Sequence, residues 1–118
     1  MKTIALVGAS NNPDKFWYKI LKNLLEKNHK VFPINPKAEK ILSQQSYKTI
    51  WEIDQGFEIV NFVTQPNITK NILENNLVLL QNKILWFQPW STDEICEKFI
   101  QENFKNFILN SCIMIEKI

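Results

Sequence analysis

Thr3-Ile4-Ala5-Leu6-Val7-Gly8 opens the chain with an apolar run that stops at a glycine, and Ala9-Ser10-Asn11-Asn12-Pro13 follows it. A continuous apolar run, as opposed to an alternating one, fits a strand covered on both faces, as in a parallel sheet. Gly8 allows a tight turn and a close approach of a ligand to the backbone. Asn12 suits a helix N-cap and Pro13 the first helical turn. Phe16, Trp17, Ile20, Leu21, Leu24 and Leu25 then recur at helical spacing as one stripe. Asn28 ends that helix, because asparagine tolerates the left-handed conformation usually given to glycine. Strand, turn and helix in this order form the unit from which a parallel sheet is built.

The unit repeats along the chain. Lys30 to Ile34 is a second strand, closed by Asn35-Pro36. Residues 38 to 47 carry no decisive pattern, and Thr49 to Ile53 reads as a short helix capped by Thr49. Gly56 supplies a turn before a third strand, Glu58 to Val63, which Thr64-Gln65-Pro66-Asn67 breaks. Ile68, Ile72, Leu73, Leu77 and Leu80 mark a helix with a bend near Asn75-Asn76. Lys83 to Phe87 is a fourth strand, closed by Gln88-Pro89. Thr92 or Asp93 caps a helix bearing Ile95, Phe99 and Ile100, with Cys96 in its core. Asn106 to Leu109 is a fifth strand, and the tail from Ser111 to Ile118 is expected to pack on the domain. This alternation predicts one α/β domain over residues 1–118. It is a Rossmann-like three-layer α/β/α fold with a five-stranded parallel sheet in the order 3-2-1-4-5. The ligand site of such a sheet lies beyond the carboxyl ends of its strands. That singles out four segments: Gly8 to Pro13, Asn35 to Lys37, Thr64 to Asn67, and Gln88 to Trp90.

Composition bounds the function. The chain has 118 residues, 45% hydrophobic and 22% charged, which fits one folded domain and excludes a disordered tail. All 14 basic residues are lysine, set against 12 carboxylates, for a net charge of +2. That balance, without a basic cluster, argues against a nucleic-acid partner. No apolar run approaches the ~20 residues that span a bilayer, so no membrane partner is expected. Met1-Lys2-Thr3 leads straight into a strand, unlike a signal peptide. Cys96 and Cys112 lack metal-ligand spacing, and a reduced, cytoplasmic protein is expected. Only two glycines occur, Gly8 and Gly56, so each invites a local explanation.

The first turn has the makings of an anion seat. Amides at a helix start point outward and the helix dipole favours negative charge there. Ser10, Asn11 and Asn12 can add hydrogen bonds. The G-x-G-x-x-G dinucleotide fingerprint is missing, and so is the Gly-Lys-Ser/Thr of a P-loop. After the second strand, where NAD-binding Rossmann enzymes carry an acid, Asn35-Pro36-Lys37 stands instead, and Lys37 suits a phosphate on the ribose. His29, the sole histidine, has no acid–base partner by spacing and is read as solvated. No Ser-His-Asp or Cys-His arrangement is supported, so no catalytic residue is assigned. Trp17 and Trp90 flank the proposed mouth, where an aromatic face can stack on a base.

Val7-Gly8-Ala9-Ser10, Val31-Phe32-Pro33-Ile34-Asn35-Pro36-Lys37, Trp86-Phe87-Gln88-Pro89 and Asn110-Ser111-Cys112-Ile113 fall in order and at similar spacing to the small stand-alone CoA-binding proteins. The chain resembles that family across nearly its whole length, and through it the CoA-binding domain of the succinyl-CoA synthetase alpha subunit. The resemblance implies non-catalytic binding of coenzyme A or an acyl-CoA. Gly8, Ala9, Ser10, Asn11, Asn12 and Pro13 would hold the pyrophosphate. Asn35, Pro36 and Lys37 would belong to the cofactor site, with Lys37 meeting the phosphates of the 3′-phospho-ADP moiety. Val63, Thr64, Gln65 and Pro66 would border the adenine, and Gln88 and Pro89 would line the mouth near the pantetheine arm. The family often has glycine where this chain has Trp90, Asn28 and the Leu42-Ser43 region. Cys112 is read as a structural thiol, with a mixed disulfide to CoA as the alternative. Two other functions stay open: an NAD(P)-type nucleotide binder or small oxidoreductase, and an interaction module with a vestigial pocket. Trp90 and the Ile113-Met114-Ile115 run are candidate contacts for a homodimer.

Overall fold

The computed structural model describes residues 1–8, 16–36, 40–42 and 44–115. Strand β1 (Thr3–Val7) lies inside a five-stranded parallel sheet with β2 (Lys30–Ile34), β5 (Ile59–Phe62), β6 (Ile84–Phe87) and β7 (Phe107–Ile108), in the spatial order β2-β1-β5-β6-β7. A small antiparallel hairpin, β3 (Lys40–Ile41) with β4 (Gln44–Gln45), occupies the stretch without a sequence pattern. Helix α1 (Phe16–Glu26) covers one face, and α2 (Pro66–Asn75), α3 (Leu77–Leu80) and α4 (Glu94–Asn103) the other. The three layers of a Rossmann-like fold are therefore present.

The apolar run of β1 is explained by its two covered faces. Ile4 and Leu6 pack with Trp17, Ile20, Leu21 and Leu24 of α1. Ala5 and Val7 point the other way, into a core with Phe62, Leu73, Phe87 and Ile100. Helix α1 ends as the sequence indicates. Asn28 has φ 66°, His29 N–H bonds to Leu24 O at 3.1 Å and Asn28 N–H to Leu25 O at 3.0 Å, the paired bonds of a Schellman cap. The bend at Asn75-Asn76 separates α2 from α3. Asp93 caps α4, its side chain accepting from Cys96 N–H at 2.8 Å.

Four expectations need correction. Counting only the main-sheet strands in chain order, the arrangement is 2-1-3-4-5, not 3-2-1-4-5. Pro33 supplies the reason. Lys30 N–H and Ile34 O bond toward β1, so Pro33 faces away from it. A strand outside β2 would need an N–H that proline lacks. The edge instead receives a single bridge, with Tyr47 N–H donating to Pro33 O at 2.8 Å and Asn35 N–H to Tyr47 O at 2.9 Å. The expected helix at Thr49 to Ile53 is one 3-10 turn, Ile50–Glu52, and the Thr49 hydroxyl makes no cap bond. On α4, Cys96 and Ile100 face the core while Ile95 is exposed. His29 is buried, its Nδ1 accepting from Lys2 N–H at 3.0 Å. It sits at the amino ends of the strands, remote from their carboxyl ends, and burial chiefly holds its pKa below the usual 6.5. The tail turn Ile113–Ile115 does pack on α1's side through Ile113, while Ile115 stays exposed.

Candidate functional site

The revised strand order moves the crevice. In a doubly wound sheet the ligand site lies where strand addition reverses direction. Here that point is between β1 and β5, whose carboxyl ends run into Gly8 and into Val63-Thr64. Gly8 has φ +101°, and a Cβ built on it would lie 3.1 Å from Thr64 Cγ2. Glycine is therefore favoured twice over, by its backbone and by its neighbour. Gly8 N–H bonds to Ile34 O at 3.2 Å, and Val63 N–H to Val7 O at 3.0 Å, which holds the three strand ends in a fixed row.

Helix α2 starts at this row. Gln65 is its N-cap residue, in extended backbone with no side-chain cap bond, and Pro66 is its first residue. Thr69 N–H bonds to Gln65 O at 2.9 Å, which leaves the amides of Asn67 and Ile68 without a helical acceptor. The Thr64 and Thr69 hydroxyls are 2.7 Å apart. This bond anchors the turn to the buried Thr69.

Two clefts meet over Gly8, Thr64 and Ile68. One, of about 390 Å³, extends toward β2 along Ile34, Asn35, Pro36 and Lys48. It continues past Ile72 into a cavity of about 270 Å³ between the 3-10 turn and α2, where Trp51 and Asn76 contribute to the lining. The other, of about 480 Å³, extends toward β6 along Val63, Gln65, Phe16, Trp17 and Trp90. Trp90 folds back across the end of β5, its Nε1–H donating to Val63 O at 3.1 Å. Phe16 meets it edge to face, with ring centroids 4.6 Å apart.

The predicted site residues thus separate into three groups. Gly8, Asn35, Pro36, Val63, Thr64 and Gln65 line one or other cleft, and Pro66 starts the helix beside them. Gln88 turns inward: it is fully buried, its Oε1 accepts from Ile113 N–H at 2.9 Å, and its carbonyl accepts from Ser91 N–H and Oγ–H. It ties the tail to the end of β6, next to the exposed Pro89. Ala9, Ser10, Asn11, Asn12, Pro13 and Lys37 lie outside the described residues. Trp17 and Trp90 flank the opening as expected.

Several lining residues escape the sequence reading, among them Ile68, Phe16 and Lys48. Ile68, one of the apolar positions that mark its helix, is 45% exposed over the junction, while Thr69 is the buried neighbour. A hydroxyl that can bond back to Thr64 was the available signal. Phe16 belongs to the apolar stripe of α1 and yet lines the cleft toward β6. Lys48 follows the patternless stretch, and only the Tyr47 bridge to Ile34 brings it to the cleft. The two cysteines lie elsewhere. Burial pushes the Cys96 thiol up to about 11, and Cys112 is a half-buried free thiol after β7. Among the described residues no His, Cys, Asp and Glu side chains cluster as metal ligands, and no helix is long and apolar enough to cross a membrane.

A family model described as CoA binding domain matches residues 2–118. Over 73 residues the chain is 33% identical to an ADP-forming acetate–CoA ligase of Methanocaldococcus jannaschii, an alignment covering 62% of this chain and 10% of the ligase. The chain thus spans a tenth of the length of that relative. It is 25% identical over 118 residues to the uncharacterized protein YneT of Bacillus subtilis, covering 97% of this chain and 84% of the other. A conserved hypothetical protein from Pyrococcus furiosus superposes with a TM-score of 0.90 at 33% identity, over 99% of this chain and 100% of the other.

Proposed function

The chain belongs to the CoA binding domain family, and on that premise we propose that it binds coenzyme A or an acyl-CoA as one domain, residues 1–118, without reacting with it. The observation that carries this reading is the junction at Gly8, where two clefts of different character meet. A diphosphate suits the junction. The missing Cβ gives access to backbone, and the free amides of the α2 start add a dipole of the right sign. The reading assigns Gly8 to Pro13 to the same diphosphate.

The cleft toward β2 suits the 3′-phosphonucleoside. Asn35 and Pro36 form its rim, Lys48 supplies positive charge and Thr64, at the junction, borders the base; Lys37 is assigned to the same phosphate. The cleft toward β6 suits the pantetheine arm, with Pro89 at its outer edge and Gln88 supporting the wall from beneath. The free thiols of Cys96 and Cys112 agree with a reducing compartment such as the cytoplasm.

Calorimetric titration with CoA, dephospho-CoA and NAD tests the reading. CoA is expected to bind most tightly and NAD least. Equal binding of all three, or none, would overturn it, and hydride transfer to or from a nicotinamide would favour an oxidoreductase instead.

A further inference from the structure

Phe16, Ile68 and Trp90 are large apolar side chains left 41%, 45% and 39% exposed, and all three border the cleft toward β6. Apolar side chains concentrated in one concavity mark a surface that an apolar partner covers. The remaining described lining of this cleft is Gly8, Trp17, Val63, Thr64 and Gln65. No charged side chain is among them. Trp90 is held in place from both sides, by its hydrogen bond to Val63 O and by the edge of Phe16. An occupant therefore meets a wall already in position and spends little ordering entropy on it.

Resting on the CoA reading above, we infer that the Phe16–Trp90 corner selects the acyl class of the thioester, favouring short apolar acyl groups and disfavouring acyl groups that end in a carboxylate. An aliphatic branch buries surface against Phe16 and Trp90. A terminal carboxylate loses water there and finds no cation among the described lining residues. The cleft of about 480 Å³ offers room along the arm beyond the diphosphate seat. Trp90 is the decisive residue, because a glycine in its place would leave the end of β5 open.

The test compares CoA, isovaleryl-CoA and succinyl-CoA on the full chain by calorimetry, with adenosine 3′,5′-bisphosphate as a probe of the nucleoside side. Isovaleryl-CoA is expected to bind about tenfold more tightly than CoA, the gain from burying a few methyl groups. Succinyl-CoA is expected to bind no more tightly than CoA. Trp90→Gly should bring the three within about twofold of each other and leave the bisphosphate unaffected. Phe16→Ala, which removes the ring edge that meets Trp90, should shrink the preference in the same direction. Succinyl-CoA matching isovaleryl-CoA, or both variants keeping the preference, would overturn the inference while the CoA reading stands. Absence of binding by CoA and by both thioesters would overturn the CoA reading and this inference with it.

Discussion

Gly8→Ala is the sharpest perturbation of the junction. The φ of +101° lies where an L-residue is strained, at a cost of about 1–2 kcal/mol. The new Cβ would also approach Thr64 Cγ2 to 3.1 Å. Thr64 has little freedom to retreat, since its hydroxyl lies 2.7 Å from that of Thr69 and Thr69 is fully buried. Overpacking of this kind adds about 1 kcal/mol. A total near 2–3 kcal/mol corresponds to a fall in Tm on the order of 10 °C for a domain of this size. Thr64→Ser in the same background removes Cγ2 and should recover the packing part, roughly 1 kcal/mol, but not the backbone part. Thermal melts of the two single variants and the double variant separate these contributions. Unchanged Tm in Gly8→Ala would refute the strain argument. CoA affinity should also fall by tenfold or more, because the methyl stands where the diphosphate approaches the backbone. A destabilised variant that binds CoA as tightly as the parent would refute the placement of the ligand.

Lys48→Ala should weaken CoA about fivefold at low salt, an effect of the size expected for one exposed cation. Raising the salt should narrow the gap, and calorimetry at two ionic strengths checks both. If Lys48 reads charge on the nucleoside side, the isovaleryl-CoA to CoA ratio stays constant in this variant. Asn28→Gly should stabilise the fold by about 0.5–1 kcal/mol, since Asn28 is exposed at φ 66° where glycine carries no Cβ penalty; urea melts give the value directly. His29 makes stability depend on pH. Its folded pKa lies below 6.5, so the unfolded chain takes up the proton first as pH drops. Stability is therefore full above pH 6.5 and declines as pH falls through it. Replacing His29 with Gln should flatten this part of the Tm–pH curve, and an unchanged slope would show that other groups cause it.

The fold was legible wherever local chemistry and tertiary packing ask for the same thing. Thr3–Val7 is apolar throughout because both faces of β1 are covered, and that requirement is visible in the residues themselves. Asn28, the Asn75-Asn76 break and the Asp93 cap act within one turn of backbone, so their signals are local too. Strand order is not local, but one residue did carry it. Pro33 cannot donate toward an outer neighbour, which makes β2 an edge, and an edge β2 excludes 3-2-1-4-5. His29 misled for the opposite reason. Its burial comes from the start of the chain folding over it, with Lys2 N–H donating to its ring, and no spacing around position 29 records that contact. Lys48 and Ile68 belong to the same class, because each reaches the clefts only through the pairing of elements distant in sequence.

Correcting the strand order also changes the chemistry assigned to the site. Under 3-2-1-4-5 the first strand would neighbour β6, and Gln88-Pro89 would form the opposite lip of the crevice. Under the observed order β5 takes that place, Thr64 faces Gly8 at contact distance, and Gln88 becomes a buried strut. Trp90 then reaches back over β5 to replace the lip with an aromatic wall. The chain contains no arginine, so no guanidinium fork can clasp a phosphate in bidentate fashion. On the proposed reading, anion recognition is left to backbone amides, threonine and asparagine groups, and lysines acting as point charges. Among the described residues that seat is neutral at its centre, at Gly8 and Thr64, and charged at its rim through Lys48. Lysines at the rim can then tell ligands apart by the number of their phosphates, while discrimination between thioesters that carry the same phosphates must come from the apolar wall of Phe16 and Trp90.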